Sequence, residues 1–218
     1  MTGHSSRRDL AVQGIMQPLI TGPRVFLRHP DASDRDEFLA LREASRTLHL
    51  PWEPIPRDGS DPVSPAAFER FLVVSNTAEI QKHLICRNSD LAILGYVGLN
   101  QIQLGAFRSC YMGYWMGQPF LRHGYASEGI ELCLARAFTQ LGLHRVEANI
   151  IPDNTASLGT ARKCGFRKEG YSPRYLEIAG RWRDHERWAI TLEDWQERQG
   201  KDATLHPGKH SGGPEHTR

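Results

Sequence analysis

A small-residue turn, Arg122-His123-Gly124-Tyr125-Ala126-Ser127-Glu128, separates a strand-like run from an amphipathic helix pattern. The run is Tyr111-Met112-Gly113-Tyr114-Trp115-Met116-Gly117, and the helix places Ala126, Ile130, Cys133, Ala137 and Leu141 three or four residues apart. A helix leaves its first N–H groups unpaired and carries partial positive charge there, so this turn is a ready seat for a diphosphate. Glu128, in the first turn, complements the same dipole. A second strand follows at 144–150, with Val146, Ala148 and Ile150 on its apolar face and Arg145, Glu147 and Asn149 on the other. Asn154 can cap a short helix that stops at Gly165, a residue suited to the left-handed conformation at a helix end. The stretch 110–170 therefore reads strand, turn, helix, strand, helix.

Upstream, Arg24-Val25-Phe26-Leu27-Arg28 alternates as a strand, and Asp31-Ala32-Ser33-Asp34 supplies capping side chains for a helix with Phe38, Leu41 and Leu48 on one stripe. Three prolines in Pro51-Trp52-Glu53-Pro54-Ile55-Pro56 impose a loop. Ser64-Pro65 opens a second helix that buries Phe68, Phe71 and Leu72. Strands at 83–87, 91–103 and 109–116 are joined by linkers too short for crossover helices, so neighbours are predicted antiparallel. A hairpin of 175–178 and 186–191 turns around Ala179-Gly180-Arg181-Trp182. A dinucleotide-binding fold would need strand-helix-strand units from the start, with G-x-G-x-x-G at the first turn, and neither is present.

The 218 residues show a single composition regime, 39% hydrophobic with 5 Trp, 8 Phe and 6 Tyr, enough for one core. One domain is expected over 19–198, between an N-terminal extension (1–18) and a tail (199–218), both disordered; the tail is rich in Gly, Pro and His. No apolar run approaches the roughly 20 residues that span a bilayer, and the N-terminus lacks a signal-peptide centre. No membrane association and a cytoplasmic location are expected. Net charge is +2, and the termini account for it, leaving 19–200 formally neutral. A neutral body lacks the clustered Lys and Arg that hold phosphate backbones, which argues against direct nucleic-acid binding. Cys86, Cys110, Cys133 and Cys164 lack paired spacing and read as small buried apolar residues. His206, His210 and His216 read as a solvated tail, and no metal site is expected.

Taken in order, Gly124-Tyr125-Ala126, Arg145-Val146-Glu147-Ala148, Asn154 with Ser157, and Gly165-Phe166 resemble the GNAT superfamily of acetyl-CoA-dependent N-acetyltransferases, over roughly 19–195. Pro51-Trp52-Glu53-Pro54, Gly105-Ala106-Phe107 and Trp182-Arg183-Asp184-His185 are similar to the branch that acetylates the N-terminal alanine of a ribosomal protein. The resemblance implies an α/β (α+β mixed) fold: a mostly antiparallel central sheet, helices on both faces, and a splayed pair of strands forming the acetyl-CoA site. Acetyl-CoA would be the co-substrate, bound by Arg122, His123, Gly124, Tyr125, Ala126 and Ser127, by the backbones of Met116 and Gly117, and by Asn154. Two positions depart from the family pattern. Leu121 stands where Gln or Arg is usual, and Ala161 stands where some relatives place a tyrosine acid.

The resemblance implies direct attack of an amine on the thioester, which requires an unprotonated nitrogen. At pH 7.5 an α-amine of pKa about 7.7–8.0 is roughly one-third neutral, whereas a lysine of pKa about 10.4 is neutral in roughly one molecule of 800. A weak base therefore suffices for an N-terminal acceptor. Glu147 could receive the proton or simply pair with Arg145. Ser157 could protonate the departing thiolate, bond coenzyme A, or hold only a place in its helix. Trp52 and Glu53 could line the acceptor pocket or anchor their loop. Trp182 and Tyr175 read as core aromatics, and His185 as a solvated hairpin histidine. The acceptor is expected to be the N-terminal alanine amine of a ribosomal protein; the alternatives are a small-molecule amine (polyamine, antibiotic or amino acid) or a non-catalytic acyl-CoA-binding module.

Overall fold

The protein is described by a computed structural model covering residues 17–205, with side chains to residue 200. The expected extension at the N-terminus, up to residue 16, and the tail from 206 with its three histidines lie outside the described residues. Among the described residues eight strands form one sheet: β1 (Ile20–Thr21), β2 (Val25–Arg28), β3 (Gln81–Arg87), β4 (Ile93–Gln103), β5 (Ser109–Met116), β6 (Arg145–Ile150), β7 (Arg167–Ile178) and β8 (Arg181–Thr191). Their order is β1-β2-β3-β4-β5-β6-β8-β7. Every neighbouring pair is antiparallel except β5 and β6, which are parallel and paired only at Ser109↔Arg145, Cys110↔Val146 and Tyr111↔Glu147. Beyond Tyr111, β5 stays with β4 as far as Gly95↔Met116, while β6 stays with β8 to Ile150↔Glu186. The sheet therefore opens between β5 and β6.

Six helices cover it: α1 (Arg35–Ala44), α2 (Arg46–His49), α3 (Pro65–Val73), α4 (Tyr125–Thr139), α5 (Thr155–Lys163) and α6 (Leu192–Leu205). Strand alternation feeds two cores, one on each face. Val25, Leu27, Ile85, Leu94 and Val97 meet Ile130, Cys133, Leu134 and Ala137 of α4, and Val146, Ala148 and Ile150 continue that core. Phe26, Leu84, Cys86 and Ile93 meet Phe38 and Leu41 of α1 and Phe68 of α3. Phe68 is 1% exposed, and truncating such a ring to alanine costs about 3–5 kcal/mol. The mixed α/β architecture with helices on both faces is the one the sequence predicts. All four cysteines are buried, and none forms a disulfide among the described residues. Burial pushes the Cys110 and Cys164 thiols up to about 12, as expected for cysteines acting as apolar residues. No helix among the described residues is long and apolar enough to cross a membrane.

Local differences from the sequence reading have physical causes. The first helix stops at Ala44, and the Ser45 hydroxyl takes the Gln118 N–H at 2.9 Å. β7 begins at Arg167 rather than 175, because an exposed edge strand tolerates the charges and Pro173 that hide its pattern. The hairpin turn narrows to Ala179-Gly180, both left-handed at φ 49 and 72 as a two-residue turn between twisted strands requires. α6, which the sequence reading does not assign, is opened by Thr191 and Asp194, each side chain bonding the other's backbone N–H at 3.3 Å.

Candidate active site

The glycine turn ends in two left-handed residues, Arg122 at φ 63 and Gly124 at φ 80, and α4 begins immediately after. The N–H groups of Tyr125, Ala126 and Ser127 are the first of the helix and have no partner within it. Arg24, from the β1–β2 turn, braces this end. Its Nη1 donates to the His123 carbonyl at 2.9 Å and its Nε to Glu128 at 2.7 Å, and its guanidinium lies 5.1 Å from the Tyr125 ring centroid. The His123 ring stacks on the other aromatic neighbour, with its centroid 5.7 Å from that of Tyr125. A Cβ on Gly124 would sit 3.3 Å from Arg24 Nη2 and 4.0 Å from Lys163 Nζ. The left-handed backbone at φ 80 is what favours glycine here, since the flexible cationic tips could give way to a Cβ. Ser127 lines the groove beside it, with Arg24, Lys163 and Arg198.

At the opening of the sheet, Asn154 caps α5 through its Oδ1, which accepts the Ser157 N–H at 3.1 Å. Such a cap stabilises a helix by about 1 kcal/mol. The Ser157 hydroxyl donates to Tyr114 Oη at 2.8 Å, and that phenol donates to the Ser157 carbonyl at 3.1 Å. Burial raises the Tyr114 pKa to about 12 against the opposing hydrogen bond from Ser157, so the phenol keeps its proton at neutral pH. On the opposite bank, Arg42 grips Glu53 through both guanidinium nitrogens at 2.7 and 2.6 Å and reaches His49 Nδ1 at 2.9 Å. His49 Nε2 then lies 2.9 Å from the Met116 carbonyl. With the carbonyl as acceptor, Nε2 carries the proton and Nδ1 accepts from Arg42. Burial, ahead of Arg42, lowers the His49 pKa.

Three adjoining cavities run through the opening. The helix-side cavity, about 210 Å³, is lined by Leu48, His49, Glu53, Met116, Leu121 and Ala126 among others. The central cavity, about 220 Å³, lies between Met112-Gly113-Tyr114 of β5 and Ala148-Asn149-Ile150 of β6. Trp52, Tyr114, Asn154 and Ser157 belong to both walls. A far cavity of about 250 Å³ continues past Met112, Gly113 and Asn149 to Tyr111 and Tyr175. Among the described residues, no Asp, Glu, Lys or Arg lines the central or the far cavity.

The structure thus gathers Trp52, Met116, Ala126, Asn154 and Ser157 around one opening, with the turn 122–127 beside it. Of the other named residues, Glu53 and His185 also line the opening, and Gly117 and Glu147 do not. The Glu53 carboxylate faces Arg42, and its carbonyl accepts the Ala179 N–H at 2.9 Å, tying the loop to the hairpin. The Gly117 N–H donates to Leu94 and its carbonyl accepts from Phe120. A Cβ there would come within 2.3 Å of Leu41 Cδ1, so the glycine permits close packing. Glu147 is 3% exposed, lines none of the three cavities, and pairs with Arg145 at 3.0 Å and Arg187 at 3.5 Å. His185 is not solvated: it is 2% exposed, lines the central cavity, and has its ring centroid 5.6 Å from that of Tyr175. Its strand partner faces explain this, since β8 lies between β6 and β7 rather than at an edge. Trp182, read as a core aromatic, is 60% exposed.

Tyr114, His49, Arg42 and Arg24 were not assigned roles from sequence. Tyr114 shares the parity of Met112 and Met116, a signal that it faces the helices. Arg42 and His49 are seven apart in sequence, a spacing that would align them on a continuous helix, although the break at Ser45 puts them on α1 and α2.

A glycine turn at a helix N-terminus, beside a sheet that parts between two parallel strands, defines an acyl-CoA-dependent transferase class. The family model described as acetyltransferase (GNAT) domain matches residues 24–167, and the chain belongs to that family. It is an acetyl-CoA-dependent acyltransferase that moves an acetyl group to an amine. The chain is 29% identical over 181 residues to the probable N-acetyltransferase YjcK of Bacillus subtilis (strain 168), covering 81% of this chain and 98% of that one. It is 31% identical over 168 residues to the ribosomal protein uS5-alanine N-acetyltransferase of Escherichia coli (strain K12), covering 74% and 86%. Among solved structures, Mycobacterium smegmatis RimJ in complex with CoA-disulfide superposes with a TM-score of 0.74 at 29% identity, covering 83% of this chain and 93% of that one.

Proposed function

We propose that the acceptor is the α-amine of a protein N-terminus, that of a ribosomal protein beginning with alanine. The observation that carries this reading is the uncharged lining of the central and far cavities. A polyamine would bring a second ammonium into that space with no carboxylate to meet it, at a cost of several kcal/mol. An N-terminal amine brings one group, already partly neutral at physiological pH. The 31% identical uS5-alanine relative supports the same acceptor.

The turn from Arg122 to Ser127, with Arg24 and Lys163 beside Gly124, would hold the diphosphate through backbone N–H groups and positive charge. Met116 and Asn154 would flank the pantetheine arm. Bound acetyl-CoA supplies the activated acyl carbon. The amine lone pair forms the N–C bond, the C–S bond breaks with its electron pair on sulfur, nitrogen loses one proton and sulfur takes one up. Ser157 and Tyr114, in the wall common to the helix-side and central cavities, are the hydroxyls that hand a proton to sulfur. For Glu147 the double arginine pairing supports a structural ion pair. Incubation of the protein and acetyl-CoA with a hexapeptide beginning in alanine and, separately, with spermidine, followed by mass spectrometry, tests the acceptor. Acetylated peptide with unmodified spermidine is the expected result; the reverse would sink the reading.

A further inference from the structure

Asn149 Oδ1 is a buried oxygen with no hydrogen-bond partner, and its residue lines both the central and the far cavity. An orphaned carbonyl oxygen in a folded protein is destabilising, so a ligand donor that completes it gains affinity. Asn149 lines the opening, so a donor on a ligand entering it can reach this oxygen. One strand away, His185 lines the same central cavity. Asn149 pairs with Arg187 across β6 and β8, so His185 is its diagonal neighbour on the same face of the sheet. Diagonal neighbours of this kind lie about 7–8 Å apart, and both residues line the central cavity.

The tautomer of His185 follows from its partner. Nδ1 lies 3.0 Å from the Arg183 carbonyl, which can only accept, so Nδ1 carries the proton and Nε2 keeps a lone pair. Burial, ahead of the opposing hydrogen bond to Arg183, lowers the ring's pKa, which keeps that lone pair available at neutral pH. The surrounding ionisable groups are Tyr114 on β5, Tyr175 on β7 and, within β8, Arg183, Asp184 and Arg187. Arg183 is turned to Asp153, Asp184 to Tyr171, and Arg187 to Glu147.

We propose that Asn149 and His185 form the seat of the acceptor amine: Asn149 Oδ1 accepts one N–H, and His185 Nε2 takes the proton that nitrogen loses as the N–C bond forms. This rests on the α-amine reading above. The lone pair left on nitrogen is then aimed at the acyl carbon, and the arrangement seats a primary amine with one N–H for each acceptor. His185 replaces Glu147 as the proton acceptor because it lines the opening and Glu147 does not.

Steady-state kinetics of the full chain with the alanine-initiated hexapeptide tests it, with calorimetric acetyl-CoA affinity confirming that each variant is folded. H185Q should lower kcat/KM by about 10²-fold, as loss of a positioned base does. On a logarithmic plot at pH values below the lowered pKa of His185, the wild type should rise with a slope near two, from the base and the amine together, and H185Q with a slope near one. N149D should move the amine limb of that profile upward, because a carboxylate beside the nitrogen favours its ammonium form. H185Q with wild-type slope and kcat/KM within about twofold, or N149D with an unmoved limb, would overturn the seat while leaving the acceptor class standing. A wild-type protein that acetylates spermidine and not the peptide overturns both. If H185Q does not fold, N149D alone decides.

Discussion

Ser157 Oγ and Tyr114 Oη lie 2.8 Å apart in the wall common to the helix-side and central cavities. The serine comes from the first turn of α5 and the tyrosine from β5, so the pair ties the helix to the strand across the opening. With Ala161 in place of a helix tyrosine, the phenol is delivered from the strand instead.

If this pair protonates the leaving sulfur, Tyr114→Phe and Ser157→Ala should each lower kcat by about 10²-fold, the lower end of the range for a general acid. Acetyl-CoA KM should stay within about threefold, since neither variant touches the diphosphate turn. The two hydroxyls act as a unit, so the double variant should be little worse than either single one. Steady-state rates of thiol release measure all three. Additive losses would mean that the hydroxyls act separately.

Glu53→Ala should destabilise the fold by about 3–5 kcal/mol, because it strands a buried guanidinium. The Arg42 side chain is 8% exposed and that of Glu53 28% exposed. Urea unfolding followed by far-ultraviolet circular dichroism gives the value. Loss of the Arg42 anchor also frees His49 from the Met116 carbonyl, so acetyl-CoA KM should rise with it.

Stability should fall with acid in a defined window. Burial first, then the charges of Arg136 and His29, lower the His83 pKa to about 3, and its Nε2 has no hydrogen-bond partner. An unfolded histidine titrates near about 6.5, so the unfolded chain takes up the proton first. Stability is therefore full above about pH 6.5 and is lost as pH falls toward the folded value, by up to about 1.4 kcal/mol per unit for each such histidine. His83→Leu should flatten the dependence of the urea midpoint between about pH 6 and pH 4 by one histidine's share. An unchanged slope would assign the acid sensitivity to His29, His49 and His185, which burial also lowers.

The contrast between Glu147 and His185 shows how much of this site was legible. The turn 122–127, the cap at Asn154 and the core faces of β6 follow from local pattern, because capping and alternation are short-range rules. Glu147 looked available in sequence because its strand borders the opening, and only the register shows Arg187 arriving beside it. His185 looked solvated because a hairpin residue is commonly exposed; the insertion of β8 between β6 and β7 buries it. That strand order is a long-range fact with no local signature. Thr191-Leu192-Glu193-Asp194, by contrast, carried a readable capping pattern, and α6 could have been found from it.

Arg24 offers the sharpest test of how the turn proposed to seat the diphosphate is held. Its side chain is 52% exposed, and it binds the His123 carbonyl and Glu128 at once. Glu128 also accepts the backbone N–H groups of Arg24 and Val25, at 2.7 and 3.1 Å. Arg24→Ala removes a cation from beside Gly124 and leaves the Glu128 charge uncompensated at the helix end that would receive the phosphates. Acetyl-CoA KM should rise about tenfold, the equivalent of about 1.4 kcal/mol, with kcat nearly unchanged. Adding Glu128→Gln removes the repulsion and keeps an acceptor oxygen for the β2 backbone, so the double variant should recover most of the loss. Raising salt from about 0.05 to 0.5 M should weaken the wild type more than Arg24→Ala, since exposed charges are screened. A double variant no better than Arg24→Ala would show that the arginine acts by bracing the His123 carbonyl rather than by balancing charge.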